Sequence, residues 1–199
     1  MKKQGLRQRK QQQTREKITA AAMTLFVEKG FEAVTVDEIA TNAEVGRQSF
    51  FNYFGSKEDV VYAWQSRYQV ALVEAIASRP ASEPIRRTVE CAVTSSMLAM
   101  DEPSFAITKL ILETPALRKR DHLLYLEIEN ALVKVLIDRY PKTNIMEIRI
   151  VSMVAAGVLR ISSELLYENN IVRPVTEDFI DSLFRQLWSI DGRVIDASH

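Results

Sequence analysis

Cysteine and histidine are scarce in this chain of 199 residues, which has one Cys and two His. A lone thiol, Cys91, cannot form an internal disulfide framework, and with two histidines it cannot supply a usual zinc site. So little cysteine fits a reducing compartment, and we expect the protein in the cytoplasm. The sequence therefore predicts neither a structural metal, nor a disulfide-stabilised fold, nor a cofactor.

Long apolar runs are also missing, and glycine is limited to six residues. No stretch reaches the roughly 20 apolar residues that cross a bilayer, and no apolar segment follows the basic N-terminus as a signal peptide requires. There is no glycine-rich phosphate loop and no G-x-S-x-G motif. Adjacent acids such as Glu58 and Asp59 are explained by helix N-terminal positions. These absences argue against a membrane partner and against an enzyme.

Basic and acidic residues are equal in number, with 26 of each, but they are unevenly distributed. Residues 1–57 carry ten Lys or Arg and six Asp or Glu, a net charge of +4, whereas the remainder carries 16 and 20, a net charge of −4. A basic first segment suits an end of the protein that faces nucleic acid. Solvated helix faces would produce the same imbalance, so charge alone leaves both interpretations open.

The apolar pattern predicts an all-α chain of about nine helices, because apolar positions recur three and four residues apart while strand-like alternation never persists. Caps and prolines mark the boundaries. A first helix is expected to begin at Thr14, and a last one is expected to begin after Thr176 and to end near Ile190. Asn169, Asn170 and Pro174 predict a loop before that last helix.

The most informative stretch is residues 35–54. Thr35 and Glu38 have the spacing of a capping box, in which the hydroxyl and the carboxylate each bind the other residue's backbone N–H. A short helix is therefore expected over 36–42, followed by a turn and a second short helix from about Gly46. Two short helices joined by a tight turn form a helix-turn-helix, whose second helix can enter the major groove of DNA.

At these residues the chain resembles the tetracycline-repressor (TetR) family of transcription regulators. The resemblance covers about a quarter of the chain and rests on fixed spacings that occur in one order: Ile18-x-x-Ala21-x-x-x-x-Phe26-x-x-x-Gly30-Phe31, Thr35-Val36-x-x-Ile39-Ala40, and Val45-Gly46-Arg47-Gln48-Ser49-Phe50-Phe51-Asn52-Tyr53-Phe54-x-Ser56-Lys57-Glu58. It implies an N-terminal three-helix helix-turn-helix domain that binds DNA, and a C-terminal helical bundle for dimerisation and ligand binding. It also implies a homodimeric repressor that an unidentified small-molecule effector releases from an inverted-repeat operator in double-stranded DNA.

These expectations divide the chain into four parts. We predict a flexible basic arm over 1–13, a DNA-binding domain over 14–56, an effector-binding and dimerisation domain over 57–192 and a tail over 193–199. The arm could reach phosphates or the minor groove, or it could be only a solubilising tail.

The start of the second short helix carries the candidates for base recognition. Arginine can pair with O6 and N7 of guanine, and glutamine with N6 and N7 of adenine, so we expect Arg47 and Gln48 to read bases. Phe50 and Tyr53 are assigned mainly to the core. The other predicted DNA-binding residues are Thr35, Gly46, Ser49, Phe51, Asn52 and Lys57. Of these, Thr35 and Lys57 are expected at helix N-termini, which favour anions such as phosphate.

Three residues depart from the pattern of the family. Gly46 lacks the hydroxyl that is common at that position, and Phe51 lacks the phenol of a frequent Tyr. Glu44 occupies a turn position where Gly is common, and its carboxylate would be repelled by nearby phosphates. These differences are expected to weaken affinity or alter sequence preference without removing the fold.

The second half of the chain gives less specific signals. Ala155, Ala156 and Gly157 would permit the close helix approach of a dimer, and a further apolar face is formed by Phe179, Leu183, Phe184, Leu187 and Trp188. An intramolecular core is the alternative for both sets. Candidate effector-binding residues are the polar groups on mostly apolar helices: Cys91, Ser95, Tyr125, Glu129 and Arg160. Arg160 could hold an anionic group, but an ion pair with Glu164 explains it as well.

Two other functions remain open at this point. The protein could be an activator of the same family, which no residue here can decide. It could also be an architectural protein that binds any duplex with similar affinity and strong salt dependence.

Overall fold

The structure is a computed structural model that describes the backbone of residues 2–168 and 175–195 and the side chains of residues 5–168 and 175–188. In that part of the chain every regular element is a helix: α1 (Lys2–Lys29), α2 (Val36–Asn42), α3 (Arg47–Tyr53), α4 (Lys57–Ser78), α5 (Ile85–Leu98), α6 (Glu102–Glu113), α7 (Pro115–Arg139), α8 (Ile145–Glu168) and α9 (Glu177–Ile195). The predicted all-α class with about nine helices is confirmed. Among the described helices, none has both the length and the apolar character that a bilayer crossing demands. The predicted loop at Asn169, Asn170 and Pro174 lies outside the described residues.

The first helix begins much earlier than the sequence predicted. Residues 2–13 are helical in the structure instead of forming the predicted flexible arm. Thr14 does not cap the helix, since its hydroxyl donates to the carbonyl of Lys10 at 2.9 Å. Lys, Arg and Gln have high helix propensity, and extending a helix already nucleated around the buried Ile18 costs far less than starting a new one. The polar composition of residues 2–13 is therefore compatible with a helix as well as with a flexible arm.

The end of the last helix also differs from its prediction, and a cap sets the start of α6. α9 continues to Ile195, past the predicted end near Ile190 and into the predicted tail. α6 begins at Glu102 because Asp101 accepts the backbone N–H of Ser104 at 3.0 Å, which is an N-cap bond. Pro103 is then in the first turn, where its missing N–H has no helical partner to lose.

The chain forms two compact units. The first contains residues 1–67 and 106–121, and the second contains residues 68–105 and 122–199. α4, α6 and α7 each contribute residues to both units.

The core of the first unit holds α1, α2 and α3 together. Ile18, Phe26, Ile39 and Phe50 are completely buried. α1 ends at Lys29 and is followed by Gly30, whose φ of 82° lies in the left-handed region that glycine enters without a Cβ clash.

The segment 106–121 is part of this unit through polar contacts with α4. The guanidinium of Arg120 is 2.5 Å from the carboxylate of Asp59, and Gln65 donates to Asp121 at 2.7 Å.

The core of the second unit involves α5, α8 and α9 with parts of α4 and α7. Ala155, Ala156, Leu183 and Phe184 are buried in this core, so the intramolecular alternative holds for most of the residues that were considered for a dimer. The indole N–H of Trp188 donates to Glu90 at 2.7 Å.

α8 also has an exposed apolar face, which does not include the buried Ala155 and Ala156. It carries Met146, Ile150 and Met153, which are spaced four and three residues apart and therefore lie on one side of the helix.

Candidate nucleic-acid interface

The capping box at the start of α2 has the predicted geometry. The backbone N–H of Thr35 donates to Glu38 at 2.9 Å, and the backbone N–H of Glu38 donates to the Thr35 hydroxyl at 3.2 Å. Lys29 adds a 2.9 Å ion pair to the same carboxylate. α2 is therefore fixed to the end of α1, and the position of α3 depends on both.

The carboxyl group of Glu38 has a pKa of about 2, well below its ordinary value of 4.5. The main cause is the hydrogen bond from Lys29, followed by the backbone and side-chain hydrogen bonds from Thr35. Both partners favour the ionised form, so this group ionises more readily in the folded protein than in the unfolded one.

This pKa predicts an acid sensitivity that depends on Glu38. Because the folded pKa is depressed, the stabilisation is fully present above pH 4.5 and is lost as the pH falls towards about 2. The difference in unfolding free energy between wild type and Glu38→Gln, measured with urea, is therefore expected to shrink across that window. Glu44→Gln removes an exposed carboxylate of the same helix-turn-helix that caps no helix, and it controls for net charge. A difference independent of pH between 5 and 2.5 would contradict the assignment.

The turn between α2 and α3 is held in a conformation that ordinary residues rarely adopt. Glu44 has a φ of 56°, in the left-handed region where a Cβ is unfavourable. The ammonium of Lys17 lies 3.7 Å from its carboxylate, and both side chains are exposed. This geometry explains why glycine is common at the position in the family that the chain resembles.

α3 begins at Gly46 and is anchored by its aromatic residues. Gly46 is the N-cap residue, with a φ of −75°, and no atom lies within 4 Å of the position that a Cβ would occupy. Phe50 and Phe54 are buried, with ring centroids 5.9 Å apart. This buried side fixes the helix against α1 and α2 and leaves the opposite side at the surface.

Arg47 lies on the exposed side, in the first turn of α3. Its guanidinium is 2.6 Å from the carboxylate of Asp37, and it is 5.4 Å from the ring centroid of Phe51. The side chains of Arg47 and Asp37 are 60% and 64% exposed. Such exposed pairs contribute only about 0–1 kcal/mol, so the guanidinium can exchange this carboxylate for a base edge at small cost.

The other predicted residues of α3 share this surface to different degrees. Gln48 and Asn52 are exposed, whereas Ser49 is half-buried. Phe51 is 41% exposed and meets Phe50 edge-on, with centroids 5.4 Å apart. Tyr53 is half-buried, and therefore only partly in the core to which the sequence assigned it.

The ammonium of Lys57, which is predicted to contact phosphate, has partners within the protein. Its ammonium donates to the carbonyls of Phe31, Glu32 and Val34 at 2.7, 3.3 and 3.1 Å, and it lies 4.4 Å from the ring centroid of Phe31. An ammonium has three donors, and all three are used. Lys57 thus joins α4 to the loop that precedes α2.

The hydroxyl of Thr35, another predicted DNA contact, also has partners within the protein. It donates its one hydrogen to Glu38 at 3.1 Å while accepting the backbone N–H of that residue. To donate to a phosphate, this hydroxyl would have to exchange its bond to Glu38, and the contact stays a prediction.

The predicted effector-binding residues all lie in the second unit. Arg160 contacts both carboxylate oxygens of Glu164, at 2.9 and 3.0 Å, which favours the ion-pair interpretation over an anion ligand. The Tyr125 hydroxyl is 3.4 Å from that of Ser163. Cys91 and Glu129 are half-buried and Ser95 is exposed.

Sequence reasoning missed two features of the first unit. It gave Asp37 no role and did not find its pairing with Arg47, for which no local signal exists. It also missed an open groove of about 430 Å³ in this unit. Residues of α1 and α3 line it: Gln8, Gln11, Gln12, Arg15, Asn52 and Tyr53. The four residues from α1 follow the spacing of one helix face, which was visible in the sequence once helix was allowed there.

Comparison with known proteins gives consistent results. Residues 18–63 match the family described as bacterial regulatory proteins, tetR family. The HTH-type transcriptional regulator TcmR of Streptomyces glaucescens is 42% identical over 79 residues, which are 40% of this chain and 35% of that protein. The matched segments span about a third or less of the lengths of the curated relatives.

Solved structures extend the similarity of fold to most of the chain. A TetR-family transcriptional regulator from Syntrophomonas wolfei str. Goettingen has a TM-score of 0.63 at 20% identity, covering 90% of this chain and 95% of that one. The multidrug binding protein EbrR, complexed with imidazole, has a TM-score of 0.55 at 20% identity, covering 86% and 93%. The helix-turn-helix segment of the chain therefore matches the tetR family of bacterial regulatory proteins, and its all-α fold is similar to that of solved TetR-family regulators.

Proposed function

We propose that the protein is a homodimeric, sequence-specific transcriptional repressor, which a small-molecule effector releases from an inverted-repeat operator. Residues of α3 read the bases in this proposal, and the second unit supplies the dimer contact and the effector site. The match of residues 18–63 to the tetR family supports a role in transcriptional regulation, and the arrangement of α3 supports sequence recognition.

The observation that carries the proposal is the two-sided character of α3. Phe50 and Phe54 are buried, while Arg47 and Gln48 are exposed in the first turn. N-terminal residues of a recognition helix are the ones that reach base edges in the major groove. An architectural protein needs donors to phosphate but has no requirement for side chains that discriminate bases.

The dimer is supported by the exposed face of α8. Met146, Ile150 and Met153 form an apolar stripe that the described residues of the chain leave exposed. Two recognition helices must lie about 34–36 Å apart to reach successive major-groove turns on one side of the duplex, so a dimer has a geometric purpose.

The effector site is supported by similarity of fold and by the polar groups of the second unit. EbrR, which shares the fold, is a multidrug binding protein complexed with imidazole. Cys91, Ser95, Tyr125, Glu129 and Arg160 remain the proposed contacts. Effector binding would favour a state that does not bind DNA, because a ligand shifts an equilibrium by its differential affinity for the two states.

The test of the proposal is selection of bound duplexes from a random pool with the full-length protein. A regulator is expected to enrich one inverted repeat, and to release it when a cognate metabolite from a panel is added. Specific binding is expected to exceed binding to random duplex by about 10³-fold or more at physiological salt. Failure to enrich any sequence, together with equal affinity for all duplexes, would establish the architectural alternative.

A further inference from the structure

The groove of the first unit has walls from two helices. α1 supplies Gln8, Gln11, Gln12 and Arg15, and the last turn of α3 supplies Asn52 and Tyr53. The three glutamines and Asn52 are exposed, so the groove opens to solvent. The part of α1 before Ile18 buries no apolar side chain. The apolar core of the first unit therefore does not require this part of the helix.

The lining consists of hydrogen-bond donors and contains no carboxylate. Amide NH₂ groups, a guanidinium and a phenol can all donate to phosphate oxygens. Residues 1–15 contain six Lys or Arg and no Asp or Glu. The nearest acid along the helix, Glu16, accepts a hydrogen bond from Gln12 at 2.8 Å. Arg15 lies 5.1 Å from the ring centroid of Phe54, which holds its guanidinium at the α3 side of the groove.

The groove is close to the proposed base readers. Asn52 follows Arg47 by five residues in the same helix, which corresponds to about 7.5 Å along the axis. Duplex DNA carries one negative charge per about 1.7 Å of its axis. A duplex read by the first turn of α3 therefore brings its backbone to the last turn of the same helix.

We propose that this groove binds the sugar–phosphate backbone of the duplex, and that the N-terminal extension of α1 is a second DNA-binding element. The inference rests on the proposed DNA binding. The occupant is a polyanionic backbone, because the lining offers donors on both walls, includes a guanidinium and contains no carboxylate that would repel phosphate. The extension thus adds affinity that is independent of sequence.

The test compares two substitutions in one turn of α1. Gln11→Glu places a carboxylate in the groove, whereas Gln13→Glu adds the same charge on the opposite side of the helix, outside the lining. Both keep a residue of high helix propensity, and circular dichroism checks that the helix content is unchanged. Affinity is measured for a selected duplex and for a random duplex at the same salt concentration.

Gln11→Glu is expected to lower affinity for both duplexes about tenfold more than Gln13→Glu does, since a charge within a few ångströms of phosphate is repelled far more than one across the helix. Asn52→Asp, on the other wall, is expected to give the same uniform loss. Equal effects of Gln11→Glu and Gln13→Glu would overturn the inference. A loss on the selected duplex alone would also overturn it, because the groove would then read bases.

The same assay separates this inference from the proposed function. If the wild-type protein binds every duplex equally while Gln11→Glu still weakens binding, sequence-specific regulation fails and the groove assignment stands. If the protein enriches an operator while the two variants behave alike, the proposed function stands and the groove assignment fails.

Discussion

Arg47→Ala is expected to lower affinity for the selected operator by roughly 1–3 kcal/mol per half-site, with little change for random duplex. A guanidinium that pairs with O6 and N7 of guanine contributes only where that base is present. The measurement is a pair of binding isotherms at one salt concentration, accompanied by a repeated selection. One position in each half-site is expected to lose its base preference.

Asp37→Ala is the control for this substitution. The guanidinium of Arg47 is 2.6 Å from Asp37, so Arg47→Ala removes an ion pair of the protein as well as a base contact. If the ion pair were the important interaction, both variants would lose the same affinity. Arg47→Lys tests geometry, because a lysine keeps the charge but lacks the planar fork. If Arg47→Lys kept the affinity and the base preference of the wild type, Arg47 would bind phosphate and not a base.

Met153→Glu is expected to convert the protein from dimer to monomer and to lower affinity for the inverted repeat by about a hundredfold or more. The substitution places a charge on each side of the proposed α8 interface, where its desolvation is unfavourable. A monomer binds each half-site singly and loses the effective concentration that joins the two. Light scattering gives the mass, and binding to a full repeat and to an isolated half-site separates the two effects.

Val70→Glu is a matched control for the dimer prediction. Val70 is 56% exposed and Met153 is 55% exposed, but Val70 lies on α4. It is expected to leave the mass and the affinity unchanged. A dimer that persists in Met153→Glu, or one that dissociates equally in Val70→Glu, would show that α8 does not form the interface.

The parts of the site that could be predicted from the sequence are those fixed by local interactions. The capping box joins Thr35 and Glu38 within one turn, so the start of α2 was visible in the spacing of two residues. The burial of Phe50 was predicted for the same reason, since periodicity within a short helix identifies its inner face. The capping of backbone N–H groups and the spacing of apolar residues were therefore enough to predict α2 and α3.

The roles of individual polar side chains depend on distant partners and were harder to predict. Lys57 donates to the carbonyl of Phe31, 26 residues earlier, and a phosphate contact would have to compete with this bond. Asp37 reaches Arg47 across the turn. Nothing in a sequence records which acceptor a lysine or an arginine meets after folding.

The conformation of residues 2–13 was mispredicted for a different reason. Low apolar content predicts that residues 2–13 bury little, which is correct for those whose side chains are described, all of them exposed. It does not predict that they are non-helical, because a helix that is nucleated elsewhere can extend through them. Had helix been allowed, the spacing of Gln8, Gln11, Gln12 and Arg15 would have marked one face of it.

The empty space beside Gly46 has a practical consequence for engineering. A Cβ can be introduced there without meeting a neighbour, and the φ of −75° at Gly46 is accessible to L-residues in general. A saturation library at this single codon would therefore sample new contacts with the nucleic acid while leaving the packing of α3 intact. Among the residues at the front of that helix, it is the natural first choice for directing the protein to a different promoter.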